Sequence, residues 1–352
     1  MALTGSGAIS LNEMHIEAGG SSGTACTIND SDIRGLIDKS SGATMSFNEW
    51  YGASANLASG GTESDSGGYH IHTFTSTGNL VVSTAGSFEI LIVAGGGGGG
   101  SCRAVRKSAK GGGGGAGGIL HGTSTFNTGT YTMTVGAAGS GGASEQFSGT
   151  YYVCSDGGDS SIAQGTWGTA TALGGAHGSE NVDWYDDSGA TAPYTAGLNG
   201  GNGGGGGYEG YNETGEDGQA SPGVQGDSNS LTGVGHNDGV NIAQIYYGGG
   251  GGGGGGDGNA GTSANSQGGS GYAHSISGSS VTYAEGGNAD GGGQYGYADG
   301  TDGTTNRGNG GDGSGVGYSF NNNIAGNDAN NLDGAGTHSG NGGSGIIIVR
   351  YQ

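Results

Sequence analysis

EILIVAGGGGGG, residues 89–100, runs a continuous apolar strand directly into six consecutive glycines. The first half demands a packed core. The second half has no side chains to pack, and glycine loses more conformational entropy on ordering than any other residue. The same transition recurs along the chain, with glycine runs at 95–100, 111–115, 203–207 and 248–256. Helix and pleated sheet both disfavour such runs. An extended threefold helix of the polyproline-II type stays open to them, and its amides are free to bond neighbouring segments. Buried amides and carbonyls must be paired, so several glycine rods packed side by side are the expected solution. Nine residues in that form, as in 248–256, would span about 28 Å.

The strand half has partners. YHIHTFTS (69–76), NLVVST (79–84), FEILIVA (88–94) and TYTMTVGAAG (130–139) read as strands separated by Thr-Gly-Asn and Ala-Gly turns, with ILHGTSTF (119–126) pairing nearby. Strand signals then thin out until GIIIVRY (345–351), which shares with FEILIVA the pattern of a central strand buried on both faces. The predicted fold is mainly β with extensive glycine-rich, polyglycine-II-like segments. A β-sandwich-like base at 69–139 is closed by the C-terminal strand at 345–351, with a glycine-type excursion at 140–344.

Residues 1–58 differ in kind. ISLNEMH (9–15) and MSFNEWY (45–51) share a pattern in which Ser10 with Glu13, and Ser46 with Glu49, form capping boxes. Leu11, Met14, Phe47 and Trp50 are expected to face inward. INDSDIRGLIDKS (28–40) offers another helix, capped by Asp30 or Ser31 ahead of Ile33, Leu36 and Ile37. This small helical module is near the lower size limit for independent folding, so it is expected to lean on a partner or on copies of itself. Residues 59–68 read as a linker to the glycine-rich domain at 69–352.

The chain has 352 residues, 94 of them glycine and two proline, and a formal net charge of −22. Glycine keeps no three-residue period and proline is nearly absent, which excludes collagen. The acidic balance argues against binding nucleic acid or an anionic membrane. Half of the eight basic residues, Arg103, Arg106, Lys107 and Lys110, cluster in SCRAVRKSAK (101–110), read as a solvated loop. Cys26, Cys102 and Cys154 show no metal spacing; a Cys102–Cys154 bridge stays open. No signal peptide or membrane-length apolar run is evident, so export by a route other than ordinary secretion is expected.

IHTFTSTGNLVVSTAG (71–86), FEILIVAGGGGGG (88–100), TYTMTVGAAGSGG (130–142), GGDSSI (157–162), TATALGGAHG (169–178) and GGSGIIIVRY (342–351) together resemble the glycine-rich domain of bacteriophage tail-fibre proteins. The S-L-N-E and S-F-N-E-W-Y segments resemble short motifs near the start of marine phage structural proteins. The resemblance implies a virion fibre or adhesin, attached through its N-terminus, with rigid glycine rods whose connecting loops contact a host-surface glycan or outer-membrane protein. It also implies assembly in the host cytoplasm, exposure on the virion surface, and a homo-oligomer, trimer or filament, built with other virion proteins or copies of itself. Two alternatives stand beside it: a structural filament or capsid-decoration protein polymerising through the N-terminal module, and a glycan-degrading fibre enzyme.

Candidate receptor residues are aromatic and acidic, because such side chains give contact area at low entropic cost. They are Trp184, Tyr185 and Asp186 in NVDWYDDSGATAPY (181–194), Tyr208 and Tyr211 in GYEGYNETGEDG (207–218), and Tyr295 and Tyr297 in GGGQYGYADG (291–300). The competing reading packs these tyrosines over the glycine rods. His70 and His72 share one face of a strand and are weak metal candidates; a hydrogen-bonded histidine pair is the plainer reading. GGDGSGVGY (310–318) opens like a calcium β-roll repeat, but Gly315 stands where aspartate is needed. Scattered carboxylates leave weak divalent-cation binding open, and no cofactor is expected. No glycine run is followed by Lys-Ser/Thr, and no carboxylate pair sits in a catalytic motif, so the chain reads as a non-enzyme.

Overall fold

A computed structural model describes residues 3–37, 39–51, 57–103, 108–144, 151–152, 154–179, 181–182, 201–205, 208–210, 225–234, 237–239, 248–259, 267–289, 297–316 and 338–352. Its base is an open two-layer β-sandwich. One sheet holds six strands in the order β16-β8-β5-β21-β3-β2: Thr232–Val234, Ile119–Phe126, Gly86–Val93, Ile346–Tyr351, Tyr69–Phe74 and Thr62–Ser66. The facing sheet has the order β1-β4-β9-β12-β13: Ala58–Ser59, Gly78–Val82, Gly129–Thr134, Ser160–Gln164 and Gly168–Ala172. Between them Phe88, Ile90, Ile92, Leu120, Phe126, Ile347 and Val349 meet Leu80, Tyr131, Met133 and Ile162. Phe126 stacks on Tyr131 at 4.1 Å between centroids, and Phe88 meets Phe126 and Tyr351 at 5.0 Å.

The C-terminal strand does close the base. β21 lies antiparallel between β5 and β3, with Ile348 opposite both Leu91 and Thr73. Both strands read as continuous apolar runs because the sheet's outer face is also covered. A hairpin, β17 (Tyr272–His274) and β18 (Val281–Tyr283), lies across it and buries Ile276 and Tyr283 against Leu91, Val93, Ile119 and Ile348.

Several details differ from the sequence expectations. The stretch expected as a linker, 59–68, forms edge strand β2, paired with β3 from Thr62↔Thr73 to Ser66↔Tyr69. ILHGTSTF pairs with β5, whereas TYTMTV belongs to the facing sheet. Three hairpin or edge pieces, β12–β13, β16 and β17–β18, fall where strand signals had thinned out. β12–β13 carries much Ser, Ala and Gly, which give little β signal, while β16 and β17–β18 are strands of three residues each, and tertiary pairing decides them.

Beyond the sandwich the chain becomes a bundle of rods. The amides of Gly95 and Gly98 donate to Gly158 and Ser155, those of Gly96 and Gly99 to Gly343 and Gly340, and those of Gly97 and Gly100 to Gly115 and Gly112. Every third residue addresses the same neighbour, which is the signature of three residues per turn. The 111–118 rod repeats the rule. Its amides donate in rotation to 308–314, 173–179 and 249–252, while its carbonyls accept from 94–100, from Asn202 and Gly205, and from Gly287. Six neighbours around one threefold rod give a hexagonal cross-section. No glycine in 95–100 or 111–118 has positive φ, so the rods are left-handed. The nine glycines at 248–256 do not form one long rod: the chain turns back after 252, with a bridge between Gly253 and Gly256.

The N-terminal module has its own core of Met14, Ile33, Leu36 and Trp50. Helix α1 (Leu11–Glu17) and a short 3-10 helix (Phe47–Trp50) both carry complete capping boxes, from Ser10 with Glu13 and Ser46 with Glu49. Helix α2 (Ser31–Gly35) follows Asp30, whose carboxylate turns back to accept from Thr27 N and Oγ1 instead of capping the helix. Phe47, expected inward, is 54% exposed; the four-residue 3-10 turn leaves room for only Trp50 in the core.

Candidate functional site

The strand-to-rod transition fixes where loops can emerge. Strand β5 enters the bundle at Ala94, and the 94–100 and 111–118 rods run antiparallel through the pairs Ala94–Gly118, Gly97–Gly115 and Gly100–Gly112. The segment joining them therefore leaves at the end remote from the sandwich. Other described segments at that end pair in small sheets: β6 (Cys102–Arg103) with β14 (Asn181–Val182), and β10 (Ala143–Ser144) with β11 (Tyr151–Tyr152). A third has the order β15-β7-β20-β19, from Tyr208–Gly210, Ser108–Lys110, Gly315–Val316 and Tyr297–Ala298.

Two of the candidate receptor residues fall in this last sheet. Tyr208 pairs with Lys110 on one edge strand, and Tyr297 pairs with Val316 on the other. Sequence positions nearly ninety residues apart thus share one four-stranded sheet at the distal end. Trp184, Tyr185, Asp186, Tyr211 and Tyr295 lie outside the described residues.

The flank of the bundle carries a groove of about 580 Å³, lined by Asp257, Asn259, Gln267, Glu285, Asn288, Asp302, Asn309 and Asp312 among rod glycines. Most of these side chains hold rods together. Asp312 Oδ1 accepts from the Asn288 amide and side chain at 2.8 and 3.1 Å, and Asp302 Oδ1 does the same for Asn341 at 2.7 and 3.2 Å. Asp257 Oδ1 accepts from Asp238 N, and Glu285 Oε2 from Asn309 Nδ2. Burial pushes the Asp312 carboxyl above its ordinary value, against the pull of those hydrogen bonds. The same device recurs at Asp156, which binds both the amide and the ring of His177, and at Asp159, which caps Gly174 N. Asp/Asn three residues apart, as at 156/159, 299/302 and 309/312, accept from backbone amides of an adjacent segment, at 177/174, 338/341 and 285/288. That spacing is visible in the sequence and is the signal the strand-based reading passed over.

His70 and His72 do share one face of β3. The Tyr351 ring lies 5.3 Å from the first and 5.6 Å from the second, centroid to centroid. His72 is buried, with Nδ1 at 2.9 Å from Gly60 O and Nε2 at 3.4 Å from Tyr351 Oη; His70 Nδ1 lies 2.6 Å from Asp65. Each ring thus has its own polar partner on a neighbouring segment. Cys154 is a buried thiol donating to Gly178 O at 3.4 Å.

At the opposite end, Ile16–Gly19 of the N-terminal module face Gly86, Ser87, Glu89, Thr123, Arg350 and Tyr351 across a cleft of about 660 Å³. These are the strand ends farthest from the rods. The order along the molecule is therefore module, sandwich, rods, distal segments.

A sandwich whose strands feed threefold glycine rods accounts for a match that spans most of the chain: residues 73–352 fit the family model described as a glycine-rich domain. The chain belongs to that glycine-rich domain family. The matched region begins within β3 and runs through β21, so it takes in the rods and most of the sandwich and leaves the N-terminal module, β1 and β2 outside. No curated protein matches the chain. Among the described residues of this glycine-rich protein, no helix is long and apolar enough to cross a membrane.

Proposed function

We propose that the chain is a bacteriophage fibre or adhesin protein, attached to the virion through its N-terminal module and contacting the host through the distal end of its glycine bundle. The observation that carries this reading is the axial order: the module lies across a cleft from the foot of the sandwich, and the connection between the 94–100 and 111–118 rods leaves at the other end. A hexagonal rod bundle is a stiff spacer, and the segments it presents tolerate change without loss of the scaffold. The aromatic and acidic stretches around Trp184, Tyr208, Tyr211 and Tyr297 suit a surface glycan or an outer-membrane protein as partner. Incubating candidate host cells with purified protein before adding phage tests the reading. Slower adsorption is expected; unchanged adsorption across hosts the phage infects overturns it.

One observation favours a second reading, a filament or capsid-decoration protein built through the module. Phe47 and Ile16 are 54% and 45% exposed on a module that buries few large side chains of its own. Negative-stain images of purified protein separate the two: long filaments support polymerisation, discrete particles support the adhesin. Sugar release from host polysaccharide is the test of the glycan-degrading alternative.

A further inference from the structure

The outer face of the six-stranded sheet holds a donor set remote from the distal end. Glu89 on β5, His121 on β8 and His274 on β17 each offer one ligand atom, all within 4.8 Å of one another. Strand register explains the meeting. Glu89 stands opposite Thr123, so His121, two residues along, lies diagonally across on the same face. The β17–β18 hairpin then lays His274 over both. The two imidazole rings meet edge to face at 4.6 Å between centroids, and His274 Nε2 is 3.9 Å from Glu89 Oε1. The other carboxylate oxygen, Oε2, is held by Arg350 Nε and Nη2 at 2.8 and 2.7 Å, and the guanidinium lies over the Tyr69 ring at 4.2 Å. Arg350 thus fixes the carboxylate and leaves Oε1 for another partner. All three donors are half-buried, and Glu89 lines the cleft of about 660 Å³ at the foot of the sandwich, which gives an ion a way in.

We propose that Glu89, His121 and His274 form a binding site for a first-row divalent transition-metal ion of the zinc class. Two imidazoles and one carboxylate are the ligand types such ions select, and three protein ligands leave a coordination position for water. Donors around tetrahedral zinc lie roughly 3.4 Å apart, so the 3.9 Å separation of His274 Nε2 and Glu89 Oε1 closes by about half an ångström on binding. One bond must yield. Ile276 N donates to His274 Nδ1 at 3.1 Å, which places the ring proton on Nε2; an ion at Nε2 requires the other tautomer and releases the Ile276 amide. The ion ties a hairpin that rises from two rods to the central strands of the sandwich, and so couples bundle to base. This inference does not depend on the adhesin reading.

The test uses the full chain, stripped with a chelator and titrated with zinc and cobalt chlorides. One ion per chain, a cobalt absorption spectrum of a low-coordinate site, a raised melting temperature and faster hydrogen exchange at Ile276 are expected. His121→Gln and His274→Ala should each weaken binding at least about tenfold. His70→Ala should leave it unchanged. His121→Gln guards against a loosened hairpin, because β8 is held by pairing with β5. Absence of binding, or binding that survives both His121→Gln and His274→Ala, overturns the proposal.

Discussion

At the level of single residues, many rod glycines leave no room for a Cβ. One added at Gly98 would stand 2.0 Å from Ser140 O, and one at Gly114 would stand 2.3 Å from Gly97 O. Both obstacles are backbone, so neither can swing aside. Gly98→Ala or Gly114→Ala should destabilise the protein by about 2 kcal/mol or more, read as a lower denaturation midpoint. Gly165→Ala, in the β12–β13 turn with nothing within 4 Å, should be neutral. A second residue-scale prediction concerns Tyr351, whose hydroxyl packs against Ala58 and His72. Burial pushes it up from 10.0 to about 12. The folded chain keeps that proton where the unfolded chain gives it up. Stability from this group is therefore full below pH 10 and is lost as pH rises towards 12, on the order of 2 kcal/mol. Tyr351→Phe should flatten alkaline denaturation over that window; an unchanged slope would mean the loss comes from Tyr131 and Tyr283, whose hydroxyls burial also raises.

Elements differ in how openly the sequence announces them. The capping boxes at Ser10/Glu13 and Ser46/Glu49 are legible because four residues determine them. They also make the module acid-sensitive. Hydrogen bonds from the Ser10 amide and hydroxyl hold the Glu13 carboxyl below its ordinary range, and the Lys39 and Ser46 donors do the same for Glu49. Both contributions are present above the ordinary glutamate value and are lost as pH falls through and below it. Trp50 fluorescence in a W167F/W184F background should report unfolding of the module at a higher pH than circular dichroism reports for the sandwich. Ser10→Ala should cost about 1 kcal/mol at neutral pH. The pairing of FEILIVA with GIIIVRY was legible for a different reason: two apolar runs need each other, and in antiparallel register Glu89 falls opposite Arg350. The hairpins at 160–172 and 272–283 were not legible. The first is rich in Ser, Ala and Gly, which carry little strand preference, and the second has strands of only three residues, so the sheet faces they cover dictate their shape. The donor set of Glu89, His121 and His274 was hidden for the same reason, since it exists only once the second hairpin lies across the sheet.

Across the whole molecule, the glycine runs convert sequence length into a stiff array whose cross-links are backbone hydrogen bonds, with Asp and Asn side chains sealing its margins. Much of the acidity along the rods is therefore structural: Asp156, Asp302 and Asp312 are each engaged with a neighbouring rod. On the adhesin reading, the contact surface belongs to the distal connections, where change costs the array little. The 173–179 rod is bonded to its neighbours through Leu173, Ala176 and Ser179, and the rod beginning at Gly201 through Gly201, Asn202 and Gly205. Replacing 183–199 with a Gly/Ser segment of equal length should shift stability by less than about 0.5 kcal/mol. On the adhesin reading, the same replacement should abolish the protein's ability to block phage adsorption. Lost stability would place the segment within the scaffold, whereas full blocking by the replaced protein would move receptor contact to the sheet that carries Tyr208 and Tyr297.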